Sequence, residues 1–147
     1  MRFLIIVVVL TFNITSSLQA AALLPNEITV YKNPDCRCCD KWIRYLQEHD
    51  YAVTVVNTRD VYAHKRRLGV PPEVAACHTA VIGDYVIEGH ITHRDIKRLL
   101  LFQPEIKGIA VPGMPIGTPG MERGSTKEPY NVMSFDEAGS IDIFVKH

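Results

Sequence analysis

Cys36-Arg37-Cys38-Cys39 puts three thiols into four residues, and a fourth cysteine, Cys77, lies far downstream. Thiolates are soft ligands that select Cu(I), zinc or iron–sulfur clusters. Structural zinc sites space their ligands by two to four residues, so neighbours such as Cys38 and Cys39 do not easily wrap around one ion. Adjacent thiolates suit bridging between several ions, and Cu(I) is the ion most at home in such a cluster. Two other chemistries compete. Cys36 and Cys39 have the Cys-x-x-Cys spacing of a thiol–disulfide oxidoreductase, with Cys38 as an alternative resolving thiol. A structural role is the other: disulfides, for which four cysteines allow three pairings, or a single zinc in a purely structural module. A bridge between the adjacent Cys38 and Cys39 is disfavoured, because disulfide geometry would distort the backbone severely.

Cu(I) also accepts thioether and imidazole ligands. Met114 and Met121 flank a loop, Val111-Pro112-Gly113-Met114-Pro115-Ile116-Gly117-Thr118-Pro119-Gly120-Met121-Glu122, in which glycine and proline exclude regular structure; packing as flexible apolar fillers competes there with ligation, though such a loop presents no core face. His90 follows Gly89 in the turn that enters a helix, where capping or exposure competes with ligation. These three are the secondary candidates. His78, next to Cys77, is better placed than His90, but the alternation of a strand allows it to point to the opposite side, and His93 lies at the start of the last helix. His49, His64 and His147 read as surface residues, and Trp42 as core.

The elements that must position these groups follow from periodicity. Residues 27–31 read as a strand stopped by the turn Lys32-Asn33-Pro34-Asp35. A helix follows with Trp42, Ile43 and Leu46 on its apolar face. Residues 51–56 form a second strand, and Thr58-Arg59-Asp60 opens a basic helix that ends at Leu68-Gly69. Residues 79–82 and 85–88 make a hairpin across Gly83-Asp84. Thr92-His93-Arg94-Asp95 starts a last helix with the stripe Ile96, Leu99, Leu100 and Phe102. Strand, helix, strand, helix, hairpin, helix is the order of an α/β fold of the thioredoxin-like plan, a mixed sheet with flanking helices. Its reactive site lies at the N-terminus of the first helix, where Cys36, Cys38 and Cys39 fall. The loop before the hairpin comes beside it, carrying Cys77-His78-Thr79 where thioredoxins carry a cis-proline. Residues 141–145 alternate as an edge strand beyond the Gly/Pro/Met loop.

The chain has 147 residues, 47% of them hydrophobic, and balances 16 Lys+Arg against 16 Asp+Glu. That is a globular composition with no basic excess, which argues against a nucleic-acid partner. Residues 1–22 read as a signal peptide: Arg2, an apolar run from Phe3 to Phe12, and small residues before a cleavage point after Ala20 or Ala22. The run is too short to span a bilayer, so no stable membrane insertion of the mature chain is expected. One domain over 26–147 remains.

Five blocks in order, Val30-Tyr31-Lys32, Cys38-Cys39-Asp40-Lys41-Trp42, Cys77-His78-Thr79-Ala80-Val81, Val86-Ile87-Glu88-Gly89-His90 and the Gly113 to Glu122 loop, resemble the exported copper-resistance proteins called CopG, distinct from the DNA-binding repressors of that name. The resemblance runs over about residues 28 to 145. It implies a thioredoxin-like fold, a periplasmic address, and a multinuclear Cu(I) site bridged by Cys36, Cys38, Cys39 and Cys77. The partners so implied are copper ions and other periplasmic copper-handling proteins. Arg37 departs from the pattern, standing where family members often carry glycine.

Overall fold

A computed structural model describes residues 24–147, and the signal peptide read at 1–22 lies outside them. The chain runs β1 (Glu27–Lys32), α1 (Arg37–Gln47), β2 (Ala52–Asn57), α2 (Val61–Leu68), a 3-10 turn (Pro72–Val74), β3 (Thr79–Ile82), β4 (Tyr85–Gly89), α3 (His93–Phe102), β5 (Gly108–Val111), β6 (Asn131–Phe135) and β7 (Ile141–Lys146). The strands form one mixed sheet in the order β2-β1-β3-β4-β5-β6-β7. β1 is parallel to β2 and antiparallel to β3, and β3 and β4 form the expected hairpin. The first four strands therefore have the arrangement that the order of elements requires.

Alternation along β1 sends Ile28 and Val30 into the core. Against that face lie Trp42, Ile43 and Leu46 of α1 and Ile96, Leu99 and Leu100 of α3. The opposite face is covered around the 3-10 turn that follows α2, where Val70 and Val74 pack on Val86, Ala110 and Phe135. Helices thus flank both faces, and the N-terminus of α1 opens at one end of the sheet. α2 is capped by Asp60, whose side chain accepts from the Ala63 N–H, and it stops at Gly69 in the left-handed region.

Three expectations change. Phe102 is 77% exposed rather than part of the α3 stripe, because six residues beyond Ile96 is one and two-thirds turns and carries it off the buried face. β5 begins before the Gly/Pro loop and takes in Val111. All four of its residues are buried, so it has no alternation to read. β6 is also new; it sends Val132 to one apolar cluster and Met133 and Phe135 to the other, so it shows no polar–apolar alternation, and it joins the expected edge strand β7, which carries Phe144 as an extra residue opposite the Val132–Met133 step.

Candidate metal centre

Lys32, buried at the end of β1, holds the turn that leads to the cysteines. Its Nζ lies 2.9 Å from Asp40 Oδ1 in α1 and donates to Asn57 Oδ1 in β2 at 3.3 Å. Within the turn, Asn33 Oδ1 accepts from the Asp35 N–H at 2.9 Å and the Asn33 carbonyl accepts from the Cys36 N–H at 3.0 Å. Cys36 is then the N-cap of α1, its Sγ accepting from the Cys39 N–H at 3.4 Å. Cys38 and Cys39 follow in the first turn, where free N–H groups and the positive end of the helix dipole favour thiolate charge.

Cys77 arrives from the other side of the fold. Pairing of β3 with β1 brings the segment before Thr79 alongside the end of β1, and a buried polar group fixes that segment. Glu88 of β4 accepts from the Ala76 N–H and from Lys65 Nζ of α2, both at 2.5 Å and both on Oε1, while its Oε2 accepts from the Thr79 hydroxyl. Glu88 and Lys65 are both buried. Burial raises the Glu88 pKa, opposed by the Lys65 charge and by the hydrogen bonds from Lys65, Thr79 and Ala76. Gly89 supplies the close approach. It has φ +74°, and a Cβ there would meet Ala76 Cβ and the Val111 carbonyl oxygen, each at 2.7 Å.

The result is that the sulfurs of Cys36, Cys38, Cys39 and Cys77 all lie within 4.8 Å of one another. Cys36 and Cys39 are joined as a disulfide, and Cys38 and Cys77 are free thiols. Cys38 Sγ is 3.5 Å from Cys36 Sγ, and Cys77 Sγ is 3.7 Å from Cys39 Sγ. Burial pushes the Cys77 thiol up to about 12, with the Cys38 charge and its hydrogen bond acting in the same direction against the pull of Lys65. A proton must leave Cys77 before it can serve as a thiolate ligand.

Two histidines complete the surroundings. His90 is fully buried rather than a cap; Thr92 caps α3 instead. Its Nδ1 donates to the Pro119 carbonyl at 2.7 Å, and its Nε2 lies 3.2 Å from Cys77 Sγ. His78 does not turn away. Its Nδ1 also lies 3.2 Å from Cys77 Sγ, its ring packs on Trp42 at 4.3 Å between centroids, and it is completely buried. Burial holds both rings below the ordinary histidine pKa, with the His90 and Lys65 charges adding to the effect at His78. Sequence reasoning left His78 out of the ligand set, and its adjacency to Cys77 was the available signal. Glu88, Lys65 and Thr79 gave none as a group, since they meet only through the register of β3 with β4.

The Gly/Pro loop closes the site from outside. At Gly120 (φ +86°) a Cβ would stand 2.8 Å from the Cys38 carbonyl oxygen and 2.9 Å from the Trp42 nitrogen, so only glycine lets the loop lie against the first turn of α1. Met121 lines a cleft of about 380 Å³ with Arg37, Cys38, Lys41 and Arg123. Met114 is 39% exposed and is not among the residues lining that cleft. His93 stacks on His49 at 3.8 Å and joins neither cysteine group. His49 and His64 are half-buried, His64 stacking on Tyr31, while the exposed ring of His147 stacks on Tyr130 and meets Asp95.

A family model described as "Protein of unknown function, DUF411" matches residues 74–121, the stretch from the Cys77 segment to Met121. None of the curated proteins matches the chain. Two solved structures do, copper resistance protein copG in its Form 2 and in its Form 1. Each is 37% identical with a TM-score of 0.79, and the match covers 84% of this chain and 98% of that one.

Proposed function

The chain belongs to the family of the copper resistance protein CopG, and on that premise we propose that it binds several Cu(I) ions as a thiolate-bridged cluster on Cys36, Cys38, Cys39 and Cys77, serving periplasmic copper handling. One observation carries this reading: two separate segments converge to put four sulfurs within 4.8 Å of one another. The donor set fits the ion, since thiolates are soft and Cu(I) is soft, and the α1 N-terminus offsets negative charge on three of the four. Cluster loading belongs to the reduced chain, in which a dithiol reductant has supplied two electrons and two protons to open the Cys36–Cys39 bond. Met121, His90 and the exposed Met114 serve at the periphery, where thioether or imidazole completes an outer ion or guides its exchange. Copper ions and other periplasmic copper-handling proteins are its partners.

The test is competition in the reduced chain under anaerobic conditions. Offered Cu(I) and Zn(II) together, the protein should retain more than one copper and exclude zinc by elemental analysis. Tight binding of a single zinc with no preference for Cu(I) would contradict the proposal and favour a structural zinc module.

The Cys36–Cys39 disulfide supports a second reading, a thiol–disulfide oxidoreductase. Insulin reduction by the copper-free chain, surviving Cys38→Ser, is its expected signature.

A further inference from the structure

Cys77 Sγ, His78 and His90 present three donors within 4.8 Å of one another, and none of them takes part in the Cys36–Cys39 disulfide. We propose that Cys77, His78 and His90 form a second, mononuclear Cu(I) site that operates when Cys36 and Cys39 are oxidised to each other. This deepens the cluster reading and rests on it, because the same chain then carries several coppers when reduced and a single one when oxidised.

The geometry is that of a metal site. With metal–sulfur and metal–nitrogen bonds of about 2.3 and 2.0 Å, the sulfur–nitrogen edges come to roughly 3.5 Å at tetrahedral angles and roughly 3.7 Å in a planar three-donor site. Both edges that end on Cys77 measure 3.2 Å, to His78 Nδ1 and to His90 Nε2, so small side-chain shifts accommodate an ion. His90 is oriented in the manner of a ligand. A carbonyl oxygen only accepts, so the Pro119 carbonyl fixes the proton on His90 Nδ1 and leaves the Nε2 lone pair facing Cys77. Metal-bound histidines are held by this same outer hydrogen bond.

His78 adds an independent observation. Its Nε2 is buried with no hydrogen-bond partner, the only such side-chain atom among the described residues. An orphaned buried nitrogen costs stability, and an apolar side chain stacked on Trp42 would avoid that cost. What the imidazole offers in return is its other nitrogen, Nδ1, facing Cys77 Sγ. Binding exchanges one bond for another: the Cys77 S–H proton leaves to solvent as the Cu–S bond forms, and no electron moves. Disulfide formation removes two of the cluster's thiolates but none of these three donors.

The test titrates Cu(I) anaerobically into the full chain with its disulfide intact, the bond being verified afterwards by mass after alkylation. A single copper should bind, with X-ray absorption showing two nitrogen neighbours for each sulfur. Cys38→Ser should leave the affinity within about threefold, and His90→Ala should lower it at least about tenfold. Absence of copper from the disulfide form would overturn the proposal. So would a copper with two sulfur neighbours that Cys38→Ser abolishes, since that ion would lie between Cys38 and Cys77. The wild-type absorption spectrum decides even if His90→Ala does not fold. The reduced chain separates the two readings: copper retained there and absent from the disulfide form overturns the second site alone, whereas a reduced chain that binds no cluster overturns the cluster.

Discussion

Cys77 holds its thiol proton through neutral pH, since burial and the neighbouring Cys38 push it up to about 12. Its alkylation by iodoacetamide, followed peptide by peptide in the metal-free chain, should therefore rise about tenfold per pH unit from about pH 8 to pH 11 without levelling off, because the thiolate fraction grows in that proportion below the pKa. A plateau near pH 9 would show an ordinary thiol. Cys38 is the residue that separates a cluster from a redox pair. Cys38→Ser should lower the copper count of the reduced chain, and an unchanged count and affinity would mean that a simple two-cysteine site suffices. At this scale the meeting of the four cysteines was legible from spacing together with the order of elements, while His90, open in the sequence between ligation, capping and exposure, proves buried beside Cys77. His78 drops out of the ligand set because, read as a strand residue, it is able to point away, whereas β3 begins at Thr79 and His78 lies in the segment before it, where strand alternation does not apply.

The segment that carries Cys77 is held by a buried ion pair between two elements, Lys65 of α2 and Glu88 of β4. Lys65→Ala leaves Glu88 as an uncompensated buried carboxylate and should cost about 3–5 kcal/mol in urea unfolding, much of it regained in the double variant Lys65→Met, Glu88→Gln. A loss below about 1 kcal/mol would place the pair in the class of exposed salt bridges. The Gly/Pro loop offers a second measurement. Gly113 and Gly120 both have left-handed φ, but a Cβ at Gly113 meets nothing within 4 Å, whereas one at Gly120 strikes the first turn of α1. Gly120→Ala should therefore destabilise by about 1–3 kcal/mol more than Gly113→Ala. Equal losses would mean that the loop does not press on the helix. The elements with clear periodicity, β1 to α3, could be read from sequence, but β5 and β6 could not. One is buried throughout and the other turns Val132 to one apolar face and Met133 and Phe135 to the other, so neither shows the polar–apolar alternation by which a strand is recognised.

For the whole molecule, the strand order joins two segments that are remote in sequence, and that junction was foreseeable because the plan of elements places the loop before the hairpin beside the first helix. Among the described residues no helix is long and apolar enough to cross a membrane. The export reading has its own check: protein recovered from the periplasmic fraction should begin at Ala21 or Leu23, neither cut reaching β1 at Glu27, and a chain that keeps its first residues there would contradict cleavage. The central claim is that the four sulfurs hold more than one Cu(I) in mutual contact. X-ray absorption at the copper edge of the reduced, anaerobically reconstituted chain tests it most directly. The expected result is a sulfur-dominated first shell with copper–copper scattering, lost once the thiols are alkylated before loading; a single copper per chain with no copper–copper scattering would contradict it.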